Sequence, residues 1–252
     1  MIQLIDHPGS IRELRLERPP VNAFDPGLTH ALRAALEQES KAARALVVSG
    51  RPGMFSAGLD VPALLALDRD GMAAFWTEYF SLLEAIARCP VPIAAAITGH
   101  APAGGAVVSL FCDYRIMCRG SFVFGLNETR VGLIVPDVIQ YALVRLIGAR
   151  LAERQLVSGA LVSPDEALDQ GMVDALADDA EQTIAGAIEW CAGLLELPPF
   201  AMLGNRAVRR RDLAAQFDTL GTTEVEAFVD GWFSKETQAV LHAMVERLKA
   251  KA

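Results

Sequence analysis

Glu128 is the one carboxylate in a largely apolar stretch. Phe122, Val123, Phe124 and Leu126 precede it, and Val131, Leu133, Ile134 and Val135 follow. Burying a carboxylate is costly unless the group is paired or used. Glu128 is therefore a surface residue at a turn, a buried acceptor of backbone N–H bonds, or a base. Two glycine loops are the other candidates for chemistry. "FSAGLD" (55–60) and "GHAPAGGA" (99–106) each follow an expected strand, and each carries glycine where backbone could approach another group closely. The second runs into an expected helix, whose first N–H groups and positive dipole end suit an anionic oxygen. Two such loops from adjacent strands could aim two backbone N–H groups at one oxyanion. Removing one donor from such a hole costs on the order of 3 kcal/mol of transition-state stabilisation. Glycine loops after strands are also common as plain structure. Neither loop matches G-x-G-x-x-G or a phosphate loop ending in Lys-Ser/Thr, and G-x-S-x-G is missing from the chain.

The elements that must position these residues read as an α/β fold. "MIQLID" and "IRELRLE" flank the turn "HPGS" and suggest a hairpin. Asp25-Pro26 opens a helix expected to run to about Lys41, with Leu28, Leu32 and Leu36 on one face. "RALVVSG" and "PIAAAITG" are expected as buried strands, with the long amphipathic helix "DGMAAFWTEYFSLLEAIARC" between them. "AGGAVVSLFCD" starts a helix of small residues, and "YRIMCRG" and "SFVFG" are short strands. Beyond about residue 137 the pattern is helical, with "MVDAL" as one further short strand. Strands alternating with helices point to parallel pairing. "LELPPF" (195–200) marks a boundary between an α/β core, 1–195, and a helical region, 196–252.

The bulk properties narrow the function classes. The 252 residues are 52% hydrophobic and 21% charged, with a formal charge of −8. That balance argues against nucleic acid or an anionic membrane as the main partner. The run 91–112 contains two prolines, three glycines and His100, so a buried strand, turn and helix fit it better than a membrane span. Cys89, Cys112, Cys118 and Cys191 form no C-x-x-C pair, and the four histidines are scattered, so no metal site is expected. Reduced thiols, and acids with a Pro-Gly turn where a signal peptide needs an apolar core, lead to the expectation of a cytoplasmic protein.

With these segments in order, the chain resembles the crotonase superfamily of enoyl-CoA hydratases and isomerases. The resemblance runs through "RPPVNAF", "SGRPGMFSAGLD", "ITGHAPAGGAVVSLFCDYRIM", "FGLNETRVGLIVP", "SPDEALDQGMVD" and the C-terminal "FVDGWFSKETQAVLHAMVERLKAK". Within the superfamily, "PAGG", "CDYRIM" and "GLNET" are most similar to the mitochondrial type of Δ3,Δ2-enoyl-CoA isomerase. The resemblance implies a spiral of ββα units with a C-terminal helical trimerisation region, and a homotrimer or a dimer of trimers. It implies an acyl-CoA thioester as substrate and no separate cofactor or metal. It assigns the thioester oxygen to the N–H groups of Leu59 and Gly104, and the CoA adenine to backbone around Ala57, Gly58 and Leu59, with Asp60 closing that loop. Hydratases of the superfamily carry a glutamate three residues after the second donor, and here that residue is Val107. The other family glutamate falls on Glu128. One acid without the second fits isomerisation better than hydration.

Alternatives remain at this stage. A second acid such as Asp137 or Glu78 would permit hydration, and a crotonase-fold binding protein needs no base. The "RAVRRR" (206–211) and "ERLKAK" (246–251) runs read as solvated faces, although the resemblance implies that C-terminal bases such as Lys249 or Lys235 reach CoA phosphates. Asn127 is expected to support its turn, and His100 to be a core group or to touch substrate. Asp113 is expected to partner Arg115 or a backbone turn. Phe75, Trp76 and Phe80 are expected to pack their helix or to line the acyl pocket.

Overall fold

The computed structural model describes residues 1–250. The hairpin is present: β1 (Ile2–His7) and β2 (Ile11–Leu16) pair antiparallel. α1 (Pro26–Glu39) is capped by the Asp25 side chain on the Leu28 N–H and ends two residues short of Lys41. β3 (Ala45–Ser49) is fully buried. It leads to β4 (Gly53–Met54), the short α2 (Val61–Leu64) and the long α3 (Arg69–Ala87). The same order then recurs as β5 (Ile93–Ile97), β6 (Gly99–Pro102) and α4 (Gly104–Leu110), and again as β7 (Tyr114–Cys118), β8 (Phe124–Gly125) and α5 (Asp137–Ile147). Each repeat is a long strand, a short strand and a helix, so the chain winds as a spiral of ββα units.

The long strands form one sheet and the short ones another. The larger sheet has the order β1-β2-β3-β5-β7-β9, where β9 is Ala175–Ala177, and every pairing beyond the hairpin is parallel. The smaller sheet, β4-β6-β8, is parallel throughout. Its strands are two to four residues long, too short to show a period. "GHAP" was expected within a loop and is β6. "SFVFG" keeps only two strand residues, because Phe124 and Gly125 alone find ladder partners, Ala101 and Pro102.

After β8 the chain is mainly helical. α6 (Ala149–Ser158) and α7 (Pro164–Asp169) precede β9, and α8 (Ala180–Leu195) covers the outer face of the larger sheet. β5 reads IAAAI, and its small side chains let Ala187 and Cys191 of α8 pack directly on the strand backbone layer. α9 (Pro199–Ala215), α10 (Thr222–Trp232) and α11 (Lys235–Lys249) follow. Their apolar residues Leu213, Phe228, Trp232 and Leu241, with Phe217 of the α9–α10 connection, join the same core as α1, α3 and α4. Phe75, Trp76 and Phe80 lie buried in that core, and the Trp76 ring meets Phe228 of α10 at a centroid distance of 3.8 Å. Trp76 thus packs α3 against α10, Phe75 packs on its own helix neighbours Trp76 and Tyr79, and Phe80 packs on Trp76 while also lining a cavity between α3 and the start of α10.

Two expectations about charge are corrected. Asp113 does not pair with Arg115, whose guanidinium binds Asp174 at 2.7 Å. Asp113 instead accepts from Arg206 and Arg210 of α9, each at 2.8 Å, and from the Ile93 N–H at 2.9 Å. The "RAVRRR" run is thus not a uniformly solvated face. Arg210 is buried and also donates to the carbonyls of Ile86 and Phe111. A helix presents residues 206 and 210 on one side, and the carboxylate waiting there draws both inward. In the other basic run, Lys249 is exposed and ion-paired with Glu246 at 2.9 Å, while Lys251 lies outside the described residues.

Candidate active site

The smaller sheet brings the candidate residues together. Leu59 follows β4, Gly104 follows β6 and Glu128 follows β8, so all three leave the carboxyl end of one parallel sheet. Ligand sites in α/β folds form where chain segments leave the carboxyl ends of parallel strands.

The first loop is laced by the segment 18–25. Asn22, fully buried at φ +51°, donates through Nδ2 to the carbonyls of Leu16 and Phe55 at 3.1 Å and accepts from the Arg18 N–H at 2.8 Å. The Ser56 hydroxyl donates to Asn22 O at 2.7 Å and accepts from the Gly58 N–H at 3.1 Å. Phe24 N–H donates to Gly58 O at 2.7 Å, and Asp60 N–H donates to Phe24 O at 2.9 Å. Ala57 N–H donates to Val21 O at 2.9 Å. Leu59 is then the one residue of 57–60 whose N–H has no protein acceptor among the described residues. Asp60 spends its carboxylate internally, capping α2 at Ala63 N–H (3.1 Å) and binding Arg18 at 2.7 Å. Arg18 also holds Asp25 at 2.9 Å, which ties the starts of α1 and α2 to one guanidinium.

The second loop enters α4 through Ala103, which sits at φ +48°, ψ −120°. That conformation costs a non-glycine residue on the order of 1–3 kcal/mol and persists only where the surroundings impose it. Here the Ala103 N–H donates to Gly125 O at 2.8 Å, and Ala103 O accepts from Val107 N–H at 2.8 Å. Gly104 is the first residue of α4, so its N–H has no intrahelical acceptor, and it finds no other among the described residues. The two loops touch at their glycines. Gly58 has φ +90°, and a Cβ on it would lie 3.0 Å from the Ala103 Cβ and 3.3 Å from Gly104 N. A Cβ on Gly104 would lie 3.4 Å from the carbonyl carbon of Gly58, the atom bonded to Leu59 N. Two unpaired N–H groups thus belong to peptides in contact, in a helix N-terminal field that favours negative charge.

Glu128 opens a single 3₁₀ turn, Glu128–Val131, directly after β8. The turn is anchored from several sides. Thr129 Oγ1 donates to Leu156 O at 2.6 Å, Leu133 N–H to Glu128 O at 3.0 Å, and the buried Thr237 of α11 donates to Gly132 O at 2.8 Å. The residue as a whole is half-buried, yet its carboxyl Oε2 is sealed from solvent with no hydrogen-bond partner among the described residues. Burial pushes its pKa up from 4.5 to about 7, with its own backbone N–H opposing weakly. A structural acceptor at a turn would be satisfied and would have a lowered pKa. Asn127 makes no side-chain cap bond here.

The other acids are placed away from this role. Val107, where the resemblance places the second glutamate of hydratases, is 2% exposed. Asp137 is exposed at the start of α5. Glu78 binds Arg33 at 2.8 Å and His30 at 3.0 Å, and these partners outweigh burial to lower its pKa. His100 Nδ1 accepts from the Val123 N–H at 3.2 Å and its ring meets Phe122 edge-on, so it braces β6 against β8. Lys235 and Lys249 are exposed, and Lys249 lies roughly 18 Å along α11 from Thr237. Sequence reasoning missed Asn22, Arg18 and Tyr79. For Asn22 the signal was "PPVN" itself, since Asn tolerates positive φ.

Comparison with known proteins gives the family and the overall fold. The family model described as enoyl-CoA hydratase/isomerase matches residues 6–251. The human mitochondrial enoyl-CoA delta isomerase 1 is 33% identical over 248 residues, 97% of this chain and 82% of that protein. The rat protein of the same name is 30% identical over 96% of this chain and 84% of its own. Among solved structures, human mitochondrial Δ3,Δ2-enoyl-CoA isomerase superposes with a TM-score of 0.93 at 31% identity, covering 99% of this chain and 98% of that one. The ββα spiral expected from the sequence is the fold of that structure. A match over nearly its whole length, with the spiral to go with it, means that this chain belongs to the enoyl-CoA hydratase/isomerase family.

Proposed function

We propose that this protein is an enoyl-CoA isomerase that converts 3-enoyl-CoA to trans-2-enoyl-CoA with Glu128 as its single base. The observation that carries this reading is the Glu128 carboxyl, whose Oε2 is sealed without a partner among the described residues and whose pKa burial pushes to about 7, together with a buried Val107 where the resemblance gives a hydratase its second acid. The Glu128 carboxylate takes a proton from C2 of the acyl chain. The electrons move into a dienolate whose thioester oxygen is held by the N–H groups of Leu59 and Gly104. The same proton returns at C4, which leaves the double bond between C2 and C3. A base with a pKa near the working pH suits both halves of this shuttle. The CoA moiety enters with the substrate, its adenine held by backbone of Ala57 to Leu59, and the reaction balances without a further cofactor.

Membership of the family supports an assembly of three chains or a pair of trimers. Phe200, 94% exposed on α9, is an apolar side chain suited to burial in such a contact. Among the described residues no helix is long and apolar enough to cross a membrane. The four buried, unpaired cysteines suit the reducing, cytoplasmic setting we favour.

The test is turnover of 3-hexenoyl-CoA by the wild type and by Glu128→Gln, with 2-enoyl and 3-hydroxyacyl products followed together. We expect the isomer with little hydroxyacyl product, and a loss of at least about 100-fold in the variant. Predominant hydroxyacyl product would replace the reading with hydration, and an unchanged variant would remove Glu128 from the chemistry.

A further inference from the structure

Tyr79 of α3 is 1% exposed and touches both halves of the site. Its hydroxyl donates to Gly104 O at 3.2 Å and lies 3.1 Å from the position a Cβ on Gly104 would take. Its ring stands edge-on to Phe24 at a centroid distance of 5.9 Å. Phe24 is the residue whose N–H and carbonyl hold Gly58 and Asp60, the neighbours of Leu59. One rigid side chain therefore spans from the strap of the first loop to the first peptide of the second. The ring cannot drift, because Trp76 packs against it at 5.4 Å and Phe75 at 5.9 Å.

We propose that Tyr79 is a positioning residue that sets the separation and aim of the Leu59 and Gly104 N–H groups, its ring bracing Phe24 and its hydroxyl fixing Gly104. This rests on the isomerase reading of the same site. The strained Ala103 precedes Gly104, and the Tyr79 hydroxyl holds the carbonyl on the other side of the Gly104 Cα. The peptide before Gly104 is held in a conformation it would otherwise leave, and that peptide carries the Gly104 N–H. Preorganised donors stabilise developing charge because they need not reorganise during the reaction. A displacement of a few tenths of an ångström in one of them costs rate and leaves ground-state binding largely intact. The hydroxyl is a dependable donor here: burial, with the Glu128 charge adding to it, pushes its ionisation well above 10. An aliphatic residue at this position would fill space without holding Gly104.

The experiment compares wild type, Tyr79→Phe and Tyr79→Leu by isomerase kinetics and by isotope-edited infrared spectroscopy of bound 1-¹³C-hexanoyl-CoA. This saturated thioester reports carbonyl polarisation without turnover. Tyr79→Phe should lower kcat by about 10-fold with KM within twofold and Tm nearly unchanged. The downshift of the bound carbonyl should shrink in step, and Tyr79→Leu, which also loses the Phe24 contact, should shrink it further. Wild-type kcat and downshift in Tyr79→Phe would overturn the proposal. So would Tyr79→Leu if it lost thermal stability while keeping the full downshift, since Tyr79 would then be core packing alone. A wild type that polarises the carbonyl but does not isomerise 3-hexenoyl-CoA would sink the isomerase reading and leave Tyr79's role standing. A wild type without any downshift would remove the oxyanion site and this proposal together.

Discussion

Gly58 and Gly104 face each other so closely that a side chain on either would press on its neighbours. A Cβ on Gly104 would stand 3.4 Å from the Gly58 Cα and 3.1 Å from the Tyr79 hydroxyl. A Cβ on Gly58 would stand 3.0 Å from Pro102 O, on a residue already at φ +90°. Gly58→Ala should therefore be the more damaging change, since it adds backbone strain to the contact, and should destabilise by about 1–3 kcal/mol. Gly104→Ala should cost less stability but still lower kcat by 10-fold or more, on the order of one displaced oxyanion donor. Denaturant melts alongside steady-state kinetics of the two variants check this ordering.

Glu128 ties activity to stability with opposite signs. Its pKa is about 7 in the folded protein and near 4.5 when unfolded. Between these values the native state binds more protons than the unfolded state, so this group's contribution to stability falls as pH rises from about 4.5 to 7. The base is active only when deprotonated, so kcat/KM should rise through the same pH range with an inflection near 7. Glu128→Gln should be inactive yet more stable than the wild type at pH 8, by at most about 3 kcal/mol. The two proteins should converge in stability near pH 4.5. Thermal melts across pH, paired with a pH–rate profile, would expose an error in either half. A wild type more stable than the variant at pH 8 contradicts the buried, unpaired carboxyl.

Val107 is where the proposed reading expects isomerase and hydratase to diverge. Val107→Glu installs the missing acid on α4, three residues after Gly104. Hydration of trans-2-enoyl-CoA should rise on the order of 10-fold or more above the wild type, while isomerisation declines because water now competes for the intermediate. The variant should also lose stability, since a carboxyl replaces an apolar side chain in the core. No gain in 3-hydroxyacyl product would mean that the single acid is not what suppresses hydration.

Asp113 holds α9 to the core through Arg206 and Arg210. Asp113→Asn keeps the shape but leaves two cations, one of them buried, without their counter-charge. Loss of one partner from such a network costs about 3–5 kcal/mol. The melting temperature should fall by roughly 6–20 °C for a chain of this size. The isomerase KM should hold in the protein that remains folded, because neither arginine touches the candidate site. A melting temperature within 2 °C of wild type would show that the network is solvated.

The candidate residues were visible in the sequence because their types are locally unusual, while their roles came from the resemblance. Glu128 stands out as the lone acid of an apolar run, and the Ser-Ala-Gly-Leu and Ala-Gly-Gly segments announce backbone that must approach something. The long strands and helices are legible because their burial periods fall within a single segment. β3 and β5 read as continuous apolar runs, and Asp25-Pro26 starts α1 by local capping. What only the tertiary structure decided are relationships between distant residues. β4 and β8 have two residues each, and their identity as strands exists only in their pairing with β6. That pairing is what brings the segments carrying Leu59, Gly104 and Glu128 off the same end of one sheet. Arg206 and Arg210 look like surface charge until Asp113, more than 90 residues earlier, faces them. Tyr79 reads as one aromatic among several until its hydroxyl meets Gly104. The physical reason is the same in each case. A residue's type fixes which interactions it can make, but whether a carboxyl is sealed, a guanidinium paired or a hydroxyl engaged depends on which remote segment the fold brings within 3 Å of it.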